Sequence, residues 1–294
     1  MNGHHYRITH VTEYRYSDDV TVSYGRAHLL PRAHPGQVVG DCAVALDPTA
    51  DELRTHVDFF GNLSTYYAVR RRHRALRVTA TSNVLVTRSA PLPAELDAVA
   101  WESARDLLAD DVEACAFLLP SPLVRATTAV SEYAAQTFTG GRPLGQALLE
   151  LTARIYGDFE YVSGATTVKT TLGELLHRRQ GVCQDFAHLA VGCLRSVGLP
   201  ARYVSGYLET VAPPGKPKLQ GADASHAWAS VRLPASVGGE WLDLDPTNNT
   251  LVDRRYVVSA FGRDYSDVPP LKGVILTQAN KSTMTVSVDV NRLD

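Results

Sequence analysis

RQGVCQDFAHLAVGCLRSVGLP, residues 179–200, decides how the chain is read. Helix-forming residues run on from Cys183, directly behind a Gly181-Val182 turn, and stop at Val197-Gly198-Leu199-Pro200. That ending supplies a glycine for the left-handed cap and a proline that cannot continue the helix. The pattern predicts a helix over 183–197 whose buried stripe is Phe186, Ala190, Cys193 or Leu194, and Val197. Cys183 falls in the first turn, where unpaired N–H groups and the helix dipole favour negative charge and therefore the thiolate. Cys193 falls mid-helix on the apolar stripe and reads as core. Packing, metal binding and nucleophilic catalysis compete as roles for the pair.

Metal binding is disfavoured by geometry. His177, Cys183, His188 and Cys193 resemble a ligand list, but their spacings of 6, 5 and 5 do not share a helix face. Steps of five advance about 500° around the cylinder. With no C-x-x-C and no H-x-x-x-H in the chain, no metal and no cofactor is expected. His188 is poorly placed to activate Cys183 from within the same helix.

The rest of the chain sets the context. Its 294 residues suggest one large domain or two medium ones, and 45% hydrophobic with 20% charged residues is an ordinary soluble globular composition. The net charge of −2, with both signs interspersed, gives no footprint for nucleic acid. The run RRRHR, residues 70–74, sits in an alternating β-like segment and reads as a solvated sheet face. No apolar run approaches the roughly 18 residues of a membrane span, and the first residues have no leader-like apolar core. The expectation is a cytoplasmic chain with no membrane partner and with free thiols at Cys42, Cys115, Cys183 and Cys193.

Residues 5–90 alternate as strands, with Ser17-Asp18-Asp19 and then PRAHPG (31–36) as turns, and predict a β-sandwich-like domain. Cys42 lies in one of these strands, as a small buried hydrophobe. SAPLP, residues 89–93, breaks the pattern, and residues 95–137 turn helical, with Cys115 packed between alanines. Residues 143–156 form a further helix. TLGE, residues 171–174, has the capping-box form and opens a short helix through Leu176. ARYVSGYLET, HAWASVRL and EWLDLDP then follow as strands, with PPGKPKLQGAD (213–223) a loop between the first two. Residues 283–290 are one more alternating strand, at an edge or closing a sheet. The boundaries read as 1–93 β-rich, 94–140 a helical connection, 141–268 the catalytic core and 269–294 a C-terminal strand segment, an α+β chain overall.

A cysteine nucleophile needs a base from elsewhere, and the base needs an orienting acceptor. His226 begins a strand directly after a polar loop, at a sheet end where side chains meet solvent and ligands. The strands 226–233 and 240–246 form a hairpin, and symmetric pairing sets 233 against 240, 231 against 242 and 226 against 247. Residues 243, 245 and 247 then share one face, with Asp245 a diagonal neighbour of His226 within side-chain reach and Asp243 farther off. Cys183, His226 and Asp245 make the set of a thiol acyl-transfer enzyme. The Cys183 N–H can face a tetrahedral oxyanion, and Tyr161 and Gln184 are candidates for the second donor.

GVCQDFAHLAVGCLRSVGLPARYVSGYL, then SHAWASVRL, then WLDLDPTNN resembles the transglutaminase-like superfamily over roughly residues 150–260. The family's cysteine, histidine and aspartate fall on Cys183, His226 and Asp245. YRITHVTEYRYSDDV, LPR at 30–32 and DFFGN at 58–62 are similar to the β-rich N-terminal domain that accompanies this core in bacterial members. The resemblance implies a papain-like core of helices packed on an antiparallel sheet. It also implies a thioester intermediate on a peptide or protein substrate bearing an amide or glutamine side chain. Hydrolysis, as by a peptidase or amidase, is the first expectation. Amine transfer by a transglutaminase and a non-catalytic scaffold are the alternatives, and the oligomeric state is not read from the sequence.

Overall fold

The computed structural model describes residues 3–89, 93–210 and 225–294, so the loop expected over 213–223 and part of the break at 89–93 lie outside the described residues. The alternation near the N-terminus becomes five strands, β1 (His4–Ala27), β2 (Gln37–Asp47), β3 (Glu52–Val57), β4 (Leu63–Val69) and β5 (His73–Val86). Helices follow: α1 (Pro93–Leu96), α2 (Trp101–Leu107), α3 (Val112–Cys115), α4 (Thr128–Ala135) and α5 (Leu144–Asp158). Next come the short strand β6 (Glu160–Tyr161), α6 (Leu172–Arg178), the short strand β7 (Gln180–Gly181) and α7 (Cys183–Ser196). The chain continues as β8 (Ala201–Leu208), β9 (Ser225–Arg232), β10 (Trp241–Asp245), β11 (Thr250–Leu251) and β12 (Tyr256–Gly262). It ends with β13 (Leu271–Thr277) and β14 (Ser282–Arg292). The class is α+β, as the sequence predicts.

The N-terminal sheet departs from the sequence reading in two ways. Ser17-Asp18-Asp19 does not end a strand. β1 runs through it as a bulge, pairing with β5 and β14 before it and with β4 and β13 after it. The result is one curled antiparallel sheet of seven strands, whose two halves close on a shared core of Ala27, Tyr67, Val69, Leu76, Val78 and Ala80. The C-terminal segment is also not a separate piece: β13 and β14 are strands of this sheet, although more than 240 residues separate them from their partner β1. Arg70, Arg71 and Arg72 of RRRHR form the β4–β5 connection, and His73 and Arg74 open β5. Arg70, Arg71, Arg72 and Arg74 are exposed and pair with Glu52, Asp51, Asp19 and Asp18.

The second sheet has the order β11-β10-β9-β8-β12. One face carries Ala201, Ala229, Val231, Leu242 and Leu244 into a core with α4, α5, α6 and α7. Leu96, Ala104, Val130, Tyr133 and Ala134 belong to the same core, so residues 94–140 are part of the helical layer and not a connector. α7 lies between the other helices and β8 and β9, which is why every residue from Asp185 to Leu194 is buried instead of a single stripe. Its end is as expected: Gly198 takes φ +84°, and the N–H groups of Gly198 and Leu199 donate to Arg195 and Leu194. Thr171 and Glu174 form the predicted capping box, and that helix runs on to Arg178.

The opposite sheet face and the edge of β12 meet the N-terminal sheet. An edge strand exposes unpaired backbone groups. Here two side-chain amides take them. Gln37 donates to the Val258 carbonyl and accepts from the Val258 N–H, both at 2.8 Å. Asn62 does the same for Phe261, at 2.9 and 3.0 Å. Asn62→Ala leaves a buried N–H and C=O unpaired, and urea unfolding is expected to show a loss of about 2–3 kcal/mol.

Candidate active site

Cys183 is the first residue of α7, and the chain enters this helix under tension of space. A Cβ on Gly181 would lie 3.0 Å from Asp185 Oδ2 and 2.9 Å from Leu175. Glycine there lets the Asp185 carboxylate close over the helix start, where Oδ2 accepts from the Val182 N–H at 2.9 Å and from Thr166 at 2.6 Å. Burial raises the Asp185 pKa, and those two donors oppose it. The sulfur is half-buried against Ala187, Tyr203, Ala227, Ala260 and Val268, with Tyr265 alongside. Cys193 is different: fully buried in the helical core, its thiol is pushed up to about 12 by burial.

The hairpin delivers the other two residues. β9 and β10 pair in the predicted register, with Leu242 opposite Val231 and Leu244 opposite Ala229. The expected facing of 226 and 247 does not form as a strand pair. Asp245 Oδ1 accepts from the backbone N–H of Thr247 (2.9 Å) and of Asn248 (3.3 Å), a turn that ends β10 and sends the chain into β11. The carboxylate still reaches its target: Asp245 Oδ2 lies 2.7 Å from His226 Nε2. Asp243, two residues back, instead pairs with Arg88.

His226 is 8% exposed, more enclosed than a sheet-end position suggests, and its ring lies beside Trp228 and Tyr256. Nε2 is committed to Asp245, so Nδ1 is the ring nitrogen left for Cys183, which lies near enough to help raise the pKa of this imidazole. Burial alone would lower the pKa of the ring. Asp245 and Cys183 more than offset that, and carry it up to about 10. The ring is therefore an imidazolium at neutral pH.

Asp245 is wholly buried, and burial pushes its pKa up. His226, Asn248 and Tyr256 outweigh that and hold the carboxyl below its usual range. Asn248 Nδ2 donates to Oδ2 at 2.6 Å and the Tyr256 hydroxyl at 2.7 Å. Sequence reasoning did not single out these two donors. Asn248 had a signal, the Asx-turn spacing of D-P-T-N; Tyr256 arrives from β12 and had none.

Tyr161 and Gln184 are brought to the same end of α7. Tyr161 pairs with Gly181 across β6 and β7, is 57% exposed, and has its hydroxyl pKa raised by burial and then by the charge of Cys183. Gln184 is half-buried in the first turn, where the Asp185 N–H donates to the Val182 carbonyl at 2.9 Å. The remaining residues of the ligand-like set have separate surroundings. His177 is exposed, and His188 accepts from the Tyr265 N–H at 3.1 Å beside the Tyr203 ring. No helix among the described residues is long and apolar enough to cross a membrane.

These titrations fix a pH profile for stability. His226 binds its proton more tightly folded than unfolded, so its contribution is complete below about 6.5 and is lost as pH rises towards about 10. His10 and His188 are held down to about 4 by burial, so folding loses stability as pH falls from 6.5 towards 4. Thermal melts should peak near pH 6–7, and Cys183→Ala should flatten the alkaline limb specifically.

Comparison with known proteins shows the family. Residues 6–85 match the bacterial transglutaminase-like N-terminal region, and residues 131–246 match the transglutaminase-like superfamily. Protein Rv2569c of Mycobacterium tuberculosis is 49% identical over 292 residues, covering 98% of this chain and 92% of its own. ML0607 of Mycobacterium leprae is 32% identical over 290 residues, covering 98% of each. The crystal structure of a proposed cysteine protease from Cytophaga hutchinsonii superposes with a TM-score of 0.79 at 21% identity, covering 100% of this chain and 92% of that one.

Proposed function

Because the chain belongs to the transglutaminase-like superfamily, we propose that it is a thiol-dependent amide hydrolase acting through an acyl-enzyme on Cys183. The observation that carries this reading is the buried bond between His226 Nε2 and Asp245, which leaves Nδ1 for the sulfur at a helix N-terminus. Asp245 orients the imidazole. His226 already holds the proton as the imidazolium of a thiolate–imidazolium pair, and the thiolate attacks the amide carbonyl carbon to form the S–C bond. The Cys183 N–H at the start of α7 faces the oxyanion, with Tyr161 or Gln184 as the second donor. As the C–N bond breaks, His226 returns the proton to the departing amine. Water, deprotonated by the same imidazole, then cleaves the thioester to a carboxylic acid and restores the thiol.

The test is acid-quenched incubation of the whole protein with a glutamine-containing peptide library, followed by mass spectrometry of Cys183. An acyl adduct on Cys183 that decays to free acid supports hydrolysis. Decay chiefly to an added primary amine would make the enzyme a transglutaminase. No adduct on Cys183, with intact labelling by alkylating agents, would leave the scaffold reading in its place.

A further inference from the structure

A cavity of about 800 Å³ opens away from the thiol, between the N-terminal sheet and the opposite face of the second sheet. That size is ordinary for a small-molecule site. Its lining includes none of Cys183, His226 and Asp245.

Strand register builds its floor. Asp243 on β10, Ser230 on β9 and Arg202 on β8 are successive cross-strand partners. They are 5%, 0% and 4% exposed. Arg202 lies over the rings of Phe261 (3.7 Å) and Trp241 (4.2 Å), and its Nη2 is 3.4 Å from His34 Nε2. Arg88 closes the row from β5's end, donating to Asp243 Oδ2 at 2.9 Å and to the Tyr256 carbonyl at 2.8 Å.

The row does not balance. Asp243 is the carboxylate bonded to Arg88 and the one that acts on Arg202, with Asp253 also acting on Arg88. Arg32, over the Phe261 ring, is instead taken up by Asn62 and the Phe60 carbonyl. Arg202 Nε, Arg88 Nε and Asp243 Oδ1 are buried without a hydrogen-bond partner, and all three side chains line the cavity. Unpaired buried polar groups are costly, and two donors beside one acceptor are a specific deficit. Around them the wall is apolar, from Leu233, Val237, Trp241, Leu242, Val252 and Phe261. Two exposed carboxylates, Glu95 and Glu240, stand on the same lining and disfavour a ligand with a second negative charge.

We propose that this cavity binds a small organic carboxylate with an apolar body. Its carboxylate meets the guanidinium groups of Arg202 and Arg88, and an adjacent N–H or O–H lies towards the Asp243 carboxylate. The chemistry is that of an N-acyl apolar amino acid. The site is independent of the catalytic reading, because none of its residues touches the thiol.

Isothermal titration of the whole protein with N-acetyl-phenylalanine, its neutral amide and inorganic phosphate tests the proposal. The acid should bind, and the amide should bind about tenfold more weakly or worse, having lost the charge-assisted bonds. Arg202→Met should abolish the preference for acid over amide. Ser236→Trp, at an exposed lining position, should block binding while leaving the melting midpoint unchanged, so the test survives if the arginine variant misfolds. Absence of binding by the acid, equal binding of acid and amide, or binding untouched by Ser236→Trp would overturn the proposal. Tighter binding of phosphate than of the acid would overturn the organic-carboxylate assignment.

Discussion

Iodoacetamide at neutral pH should alkylate Cys183 at least about a hundredfold faster than Cys193 in the folded protein. Both cysteines lie on one helix, so sequence distance does not separate them; environment does. Cys183 is half-buried at the helix N-terminus beside an imidazolium, and both neighbours present positive charge to the sulfur. Cys193 is sealed among Leu189, Leu194 and their neighbours, with its thiol pushed up to about 12. Cys42 and Cys115, both half-buried, serve as internal references for access without a paired imidazole. Peptide mapping by mass spectrometry reads all four rates at once. Cys183→Ala should remove acyl trapping completely while the melting midpoint moves little at pH 6–7. Cys193→Ala should keep the reactivity of Cys183 and cost about 1 kcal/mol of stability through the small cavity it leaves.

Asp245→Asn carries the second large effect. Five donors converge on this buried carboxylate: the His226 ring, the Asn248 amide, the Tyr256 hydroxyl and the backbone N–H groups of Thr247 and Asn248. An asparagine can keep one oxygen on the backbone pair, but its NH2 then confronts three donors where Oδ2 accepted them. Acyl-enzyme formation should fall about 10³- to 10⁴-fold, because the imidazole loses both its orientation and its preferred tautomer. Denaturant unfolding should show a loss of about 3–5 kcal/mol, the usual penalty for breaking one side of a buried charge pair. A variant that unfolds more easily but traps acyl groups at the native rate would place Asp245 in the fold and outside the chemistry.

Much of the site is legible in the sequence because its determinants are local. The glycine turn before Cys183, the cap at Gly198 and the Thr171–Glu174 box each act within a few residues. The β9–β10 hairpin fixes its register through one short connection, so the face shared by Asp243 and Asp245 follows from alternation alone. What the sequence hides is long-range. Nothing in the alternation of β14 says that it lies beside β1 rather than in the second sheet, since either partner satisfies the same pattern. Ser17-Asp18-Asp19 reads as a turn, yet strands on both sides of β1 hold it in a bulge. Tyr256 reaches Asp245 only because β12 docks across β8. The row of Asp243, Ser230, Arg202 and Arg88 draws on four strands or strand ends, and each residue taken alone reads as an ordinary surface polar group.

The coupling of sulfur, imidazole and carboxylate is read most directly by NMR titration of the His226 ring nitrogens, in the native protein and in Cys183→Ala. The ring should keep its proton through pH 8 and lose it only towards about 10, with Nε2 bonded to Asp245 throughout and with the midpoint falling once the sulfur is removed. A His226 that titrates near 6.5 in both proteins would contradict it.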